Sequence, residues 1–549
     1  MQAMTDKLPK LILAALILLL FLSCRSDAPV IFSIEPGIGR AGEFITLTGK
    51  NFGRTREDSF ITIAGISPTG SAYQTWQDNR IVVRIPDSGD SGLVHVHVEG
   101  KRSNGVLFTN ISVIPRPIDG EELSLLPRIA SVNPPLGTPG SLITITGANF
   151  GSSRDSLSGG GVFFSWDSYA PSLAHFSARE PEFIEVSEIE FGYEFWSARE
   201  IRVRVPDGAV SGNMEIRTGH GTSRPVFFEV SGKPGHKNFR NRRIYSISYS
   251  VDIRVLEASR PNALYLWMPR PVISSSQRNV SLISRNAVPF VENHRGVSIF
   301  KLDNITTGSN HVINVSFNVE VYEVETSIRP LFIRQERLPL SSVYTQSTNL
   351  IPANAVQIRS VVNTILGREQ NPYRQARLIY DWMLNEMNIV ESPASHHDNI
   401  ISALEQREAD SYNAALLFTA MARAAGLPAI PVAGVLINRN RQTLRHFWAE
   451  IWIDGFGWMP VDPAMGARAV PASFITIEDT ANYYFGNLDN HRIAFSRGEL
   501  NLSQMENRGR VVSRPRAYSL QNIWEEASGG LESYSSLWGD IIVTGIYVQ

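Results

Sequence analysis

Residues 407–429 read READSYNAALLFTAMARAAGLPA, and the fold of the C-terminal part of the chain turns on them. Ala414, Leu417, Phe418 and Met421 recur at helical spacing, and Gly426 and Pro428 follow as stop signals. The pattern predicts a buried helix beginning near Ser411. A serine there has three readings: an ordinary helix cap, an active nucleophile, or the mark of lost chemistry.

Around this helix lies a chain of 549 residues, too long for one ordinary domain, so about three or four are expected. The net charge of −2 gives no global argument for nucleic acid or for electrostatic membrane binding. With 43% hydrophobic and 19% charged residues the chain is not disordered by composition.

Near the N-terminus, Lys7 and Lys10 precede an apolar run over 11–22, then Ser23 and Cys24. This pattern predicts a secretory signal over 1–23, too short for a comfortable permanent span. Cys24 is the only cysteine, which excludes an internal disulfide. Leu20-Phe21-Leu22-Ser23-Cys24 resembles the lipobox of bacterial lipoproteins, with Phe21 and Leu22 departing from the commonest residues. The resemblance implies a diacylglycerol on the Cys24 thiol, palmitate among its acyl chains, and a membrane anchor on a short tether over 24–28.

Two segments copy each other. Ile34-Glu35-Pro36-Gly37, Gly42 and Ile45-Thr46-Leu47-Thr48-Gly49-Lys50-Asn51-Phe52-Gly53 recur as Val132-Asn133-Pro134-Pro135, Gly140 and Ile143-Thr144-Ile145-Thr146-Gly147-Ala148-Asn149-Phe150-Gly151. Each copy later reaches a strand closed by Pro-Asp and then Ser-Gly. Alternating β-branched residues broken by Gly, Pro and Asn predict β-sandwiches. The pattern resembles IPT/TIG domains, which implies immunoglobulin-like modules over 29–116 and 128–231, joined by a linker over 117–127. Their expected role is to hold the next domain off the membrane, with ligand binding as the alternative. The second copy carries extra residues over 152–197, rich in aromatics: Phe163, Phe164, Trp166, Tyr169, Phe183, Phe191 and Trp196. They are expected to pack onto their own sandwich; binding a partner or a glycan is the alternative. Residues 232–243 read as a basic, polar linker and 244–337 as a third β-sandwich.

Over 338–500 the composition shifts towards helix, with amphipathic stretches at 356–366 and 372–387 and the helix after Ser411. A strand over 430–437 and a hairpin follow: 445–453, the turn Asp454-Gly455-Phe456-Gly457, then 458–462. His446, Trp448, Glu450 and Trp452 share one face of the first hairpin strand, and folding the hairpin returns Asp462 towards His446.

Leu350-Ile351-Pro352, Asn371-Pro372-Tyr373, Ile379-Tyr380-Asp381-Trp382, Ala422-Arg423-Ala424-Ala425-Gly426-Leu427-Pro428-Ala429, His446-Phe447-Trp448-Ala449-Glu450, Trp458-Met459-Pro460-Val461-Asp462 and Tyr484-Phe485-Gly486-Asn487-Leu488-Asp489 resemble signatures of the transglutaminase-like superfamily. The resemblance implies an α+β, papain-like fold behind the sandwiches and a Cys-His-Asp triad. By position, His446 and Asp462 fill two members of that triad, and the nucleophile position falls on Ser411. A thiol ionises at about 8.5 and a cationic neighbour brings it to neutrality; a serine hydroxyl must lose its proton during attack. The expected outcome is a catalytically degenerate domain that binds peptide, protein or an envelope polymer, with Trp448 and Trp458 lining the groove. The alternatives are an active Ser-His-Asp hydrolase or acyltransferase, and an adhesin or assembly module with a purely structural C-terminal domain.

His396-His397-Asp398 reads as a solvated loop rather than a metal site. No cofactor motif is present, no nucleic-acid partner is expected, and the oligomeric state is open. Residues 501–549 form an extension of unassigned role, ending in a strand-like run over 541–548.

Overall fold

The computed structural model describes residues 28–86, 91–110, 125–154, 159–167, 182–188, 190–334, 339–393 and 399–548. The signal and Cys24, most of the expected 117–127 linker, Tyr169 and the His396-His397-Asp398 loop lie outside them. No described helix is long and apolar enough to cross a membrane.

The internal repeat is also a repeat of topology. In the first copy the strands Val30–Glu35, Phe44–Lys50, Arg80–Arg84 and Tyr73–Gln77 lie side by side in that order. In the second, Arg128–Asn133, Leu142–Ala148, Glu200–Arg204 and Tyr193–Trp196 do the same. The register breaks at equivalent places, between Ile31 and Ser33 and between Ile129 and Ser131. The shared Gly has a packing cause. A Cβ on Gly49 would lie 2.1 Å from the Val30 carbonyl oxygen and 2.3 Å from the Phe52 ring; on Gly147 it would lie 2.0 Å from the Arg128 oxygen. Phe52 and Phe150 are therefore free to plug the sandwich ends, buried against glycines that cannot be replaced without displacing backbone.

The unit expected as a third sandwich is one eight-stranded sheet built on a single long strand, Gly235–Pro269, of 35 residues. This corrects the linker expected over 232–243: all but its first residues belong to the strand. The stretch is polar because little of it faces inward, and Phe239 alone among its side chains carries the apolar signal. The extension over 501–549 also finds its place here. Its strands Glu525–Trp538 and Ile542–Val548 both pair with Gly235–Pro269, at Val251↔Trp538 and Arg243↔Val548. This eight-stranded sheet is thus completed by strands from the far end of the chain.

The last domain carries an antiparallel sheet in the order Gly457–Val461, Thr443–Ile453, Ala429–Ile437, Arg492–Arg497. The helix Ser411–Ala424 packs on it: Leu417, Phe418 and Met421 share a core with Phe447, Ala449, Ile451 and Ile453. Towards its other end the same sheet packs on the eight-stranded sheet, where Val435, Ile437, Ile493 and Phe495 join Tyr249, Tyr518 and Trp524. Mostly-β modules followed by this α+β domain are the fold class expected from the sequence.

The second copy packs directly on the domains that follow it. Asp207 accepts from Lys237 Nζ, from Ser275 Oγ at 2.8 Å and from the Trp458 backbone N–H at 3.1 Å. Arg497 bridges Glu190 at 2.6 Å and Glu450 at 2.7 Å. Phe191, Tyr344, Trp458 and Trp452 stack edge-on in sequence. Part of the aromatic insertion serves this docking rather than its own sandwich: Trp166 packs on Phe239 and Tyr322 and donates to the Ser275 oxygen at 2.9 Å.

Candidate functional site

The helix Ser411–Ala424 begins one residue after its cap. Asp410 Oδ1 accepts from the Asn413 N–H at 2.8 Å, so the capping role belongs to Asp410 and not to Ser411. Ser411 is the first helical residue and half-buried. At the other end Gly426, at φ +83°, lets the chain turn so that the Leu427 N–H returns to the Ala422 oxygen at 2.9 Å.

His446 lies opposite Gly434 in the sheet. Gly434 has its own constraint: a Cβ there would meet the Ile493 oxygen at 2.0 Å, so the strand Arg492–Arg497 comes close enough to bring Arg492 under the hairpin. The hairpin pairs Trp452↔Trp458 and Ala449↔Val461, which returns Asp462 to the imidazole. His446 Nε2 lies 2.8 Å from Asp462 Oδ2, and neither side chain has any exposed surface.

Asp462 is doubly committed. Its Oδ1 accepts from the Met465 N–H at 2.9 Å, capping the short helix Pro463–Gly466, while Oδ2 also accepts from Arg492 Nη1 at 2.8 Å. Arg492 Nη2 reaches Asp489 Oδ2 at 2.6 Å, and the Tyr484 hydroxyl donates to that same oxygen at 2.8 Å. Burial alone would raise the Asp462 carboxyl, but the His446 and Arg492 charges and hydrogen bonds outweigh it and hold it below the usual carboxylate range. For Asp489 burial acts the same way and the Arg492 guanidinium again prevails, holding it well below that range. Burial pushes the Arg492 guanidinium down, yet its two carboxylate partners keep it firmly protonated.

This chain fixes the imidazole chemically as well as spatially. An ionised carboxylate can only accept, so Nε2 donates to it, and Nδ1 is the ring nitrogen left to act as a base. Nδ1 is buried and has no hydrogen-bond partner. The structure therefore brings His446 and Asp462 together and leaves the Ser411 hydroxyl unbonded to the ring. Both polar atoms of the Asn413 side chain, its amide oxygen and nitrogen, are likewise buried without partners two residues into the helix.

Trp448 and Trp458 do not line a groove; at 2% and 3% exposure both are core residues, and that expectation is corrected. Trp448 lies beside the His446 ring at 6.3 Å, and the Arg492 guanidinium lies over the Trp448 ring at 5.0 Å. Trp458 is covered by Tyr344, whose own position depends on the docked second copy. Sequence reasoning assigned no role to Arg492, Asp489 or Tyr484. The available signal was an arginine leading into the apolar run Ile493-Ala494-Phe495, since a charge placed there must find a buried partner.

The profile of the transglutaminase-like superfamily matches residues 359–463, and that of the IPT/TIG domain matches residues 29–110. An uncharacterized protein of Haemophilus influenzae is 27% identical over 184 residues, 28% of this chain. The match spans about half of that relative's length, 49%. A Cytophaga hutchinsonii protein solved as a candidate cysteine protease is 15% identical, covering 57% of this chain and 91% of its own, with a TM-score of 0.34. The periplasmic domain of TgpA from Pseudomonas aeruginosa is 15% identical, covering 42% of this chain and 89% of its own, at a TM-score of 0.23. Residues 29–110 are thus an IPT/TIG domain, and residues 359–463 belong to a transglutaminase-like domain.

Proposed function

We propose that this chain is an exported lipoprotein, anchored through Cys24 in the bacterial cell envelope, whose transglutaminase-like domain has given up thiol chemistry and binds a peptide or protein segment. The observation that carries this reading is the state of the helix start. Ser411 stands at the nucleophile position by resemblance, yet the basic nitrogen of His446 is buried and bonded to nothing. A serine nucleophile has to hand its proton to its base during attack, and needs that hydrogen bond more than a thiolate does. Labelling with a fluorophosphonate tests the reading: no modification of Ser411 is expected in the folded full-length chain.

The second reading is an active serine hydrolase or acyltransferase. It is favoured by the intact His446–Asp462 pair with its basic nitrogen free to accept. In that case Ser411 Oγ would attack an amide or ester carbonyl and pass its proton to His446 Nδ1; the C–N or C–O bond then breaks, the amine or alcohol leaves with that proton, and water or another amine resolves the acyl-serine. Fluorophosphonate labelling of the wild-type chain that disappears in Ser411→Ala and His446→Ala would establish this second reading and end the first.

A further inference from the structure

The C-terminal extension does more than complete the eight-stranded sheet. After the strand Arg510–Val512 the chain leaves the sheet edge and reaches the N-terminus of the helix Ser411–Ala424. There the Arg516 guanidinium pairs with Asp410 Oδ2, while the other oxygen of the same carboxylate caps the helix. The same guanidinium lies 4.6 Å from the centre of the Tyr412 ring. One side chain of the extension thus holds both neighbours of Ser411. The Tyr412 ring in turn meets Phe447, the neighbour of His446, edge-on at 5.0 Å.

Either side of this contact is firmly anchored. Arg514 Nη2 is held by Glu525 at 2.8 Å. Tyr518 packs on Phe495 at 5.0 Å and on Trp524 at 5.4 Å. Leu520 joins the apolar cluster that contains Tyr412 and Phe447, and its N–H donates to Ser496 Oγ at 2.8 Å. Between these anchors lies a short tip, Pro515-Arg516, and the next residue, Ala517, is already buried in the core with Tyr518. Arg516 itself sits at φ +63°, a left-handed conformation that a side chain other than glycine adopts at a cost. The ion pair remains reachable by water, with side-chain exposures of 29% for Arg516 and 16% for Asp410, whereas His446 has no exposure at all.

We propose that this tip is a strap that closes the approach to Ser411 and His446, with the Arg516–Asp410 pair as its releasable pin. The strain at Arg516 favours opening, the pin and the cation–π contact favour closure, and the anchors on both sides confine the movement to the tip. The inference rests on the reading of Ser411 as the nucleophile position, but it concerns access and not activity.

The test uses the full chain carrying Ser411→Cys, with iodoacetamide as the probe and modification at position 411 resolved from Cys24 by peptide mass spectrometry. Adding Arg516→Ala is expected to raise the rate at 411 about tenfold, which corresponds to about 1.4 kcal/mol of lost closure. Asp410→Asn keeps a capping oxygen but removes the charge, so it is expected to give a similar rise, and the double variant no further one. High salt is expected to speed the parent and not the Arg516→Ala protein. An unchanged rate in both single variants, or effects that simply add, overturns the strap. His446→Ala separates the two readings. If it leaves the rate at 411 unchanged while Arg516→Ala still raises it, the strap stands and the nucleophile reading falls. If it slows labelling while Arg516→Ala does nothing, the strap alone falls.

Discussion

Arg492→Met is the perturbation that most directly probes the buried chain behind the imidazole. The guanidinium serves Asp462 at 2.8 Å and Asp489 at 2.6 Å, and it is only 2% exposed. Methionine fills much of the same volume against Trp448 but supplies no charge. Asp489 then keeps the Tyr484 hydroxyl and the His491 N–H but no cation, and Asp462 keeps His446. Breaking a buried pair by removing one partner costs about 3–5 kcal/mol, and that is the expected loss at pH 7. The pH dependence follows from the directions already given. In the wild type both carboxyls are held below their unfolded values, so their contribution is complete above about pH 4 and falls away as the pH drops towards the folded values. In the variant burial at Asp489 is opposed only by the Tyr484 hydroxyl and His491, and with the Arg492 charge gone it is expected to raise the folded pKa above the unfolded one. The variant therefore loses stability as the pH rises through that raised value. The deficit is expected to be largest near neutrality and to narrow towards about pH 4. Urea unfolding of the full chain, followed by tryptophan fluorescence at several pH values, measures it; Trp448 is a local reporter, 5.0 Å from the guanidinium. A deficit below about 1 kcal/mol at pH 7, or one that does not narrow on acidification, would refute the reasoning.

Asp207→Ala leaves the Lys237 ammonium buried without its carboxylate and frees the Trp458 N–H; hydrogen exchange is expected to accelerate at residues 455–458 while the helix Ser411–Ala424 stays protected. Gly49→Ala pushes a methyl group to 2.1 Å from the Val30 oxygen, and is expected to destabilise the first IPT/TIG domain by more than about 2 kcal/mol with no effect on the C-terminal domain, checked by domain-resolved melting. Removal of residues 541–548 strips the partner strand from residues 243–248 and bares an edge of the long strand Gly235–Pro269; aggregation of the shortened chain by light scattering is the expected result.

What could be read from the sequence was whatever repeats or alternates locally. The spacing of Ala414, Leu417, Phe418 and Met421 marked the helix, and Asp454-Gly455-Phe456-Gly457 marked the hairpin turn that sends Asp462 back. Position 410 against 411 as the cap is decided by side-chain geometry, which composition does not carry. The remaining features depend on partners far away in the chain. Arg492 is legible only once Asp462 and Asp489 converge on it. Trp458 looked like an exposed aromatic because Tyr344 and Phe191, which cover it, come from outside its own sheet. The polar stretch over 236–243 is a strand because residues 320–327 pair with it.

On the proposed assignment of Ser411 to the nucleophile position, the geometry also accounts for which of the three positions departs from the family's pattern. His446, Asp462, Arg492 and Asp489 are all buried, and each satisfies a charge or a proton of the next. Removing any one leaves an uncompensated group in a dry interior, at a cost of several kcal/mol, so folding alone retains them whether or not a reaction is performed. Ser411 is placed otherwise: half-buried, at a helix start already capped by Asp410, and with no hydrogen bond to the imidazole. A substitution at such a position changes stability by only about 0.5 kcal/mol. An intact His-Asp pair is therefore weak evidence for surviving catalysis in this fold, because stability preserves it, and the identity of residue 411 is the feature that chemistry alone would keep.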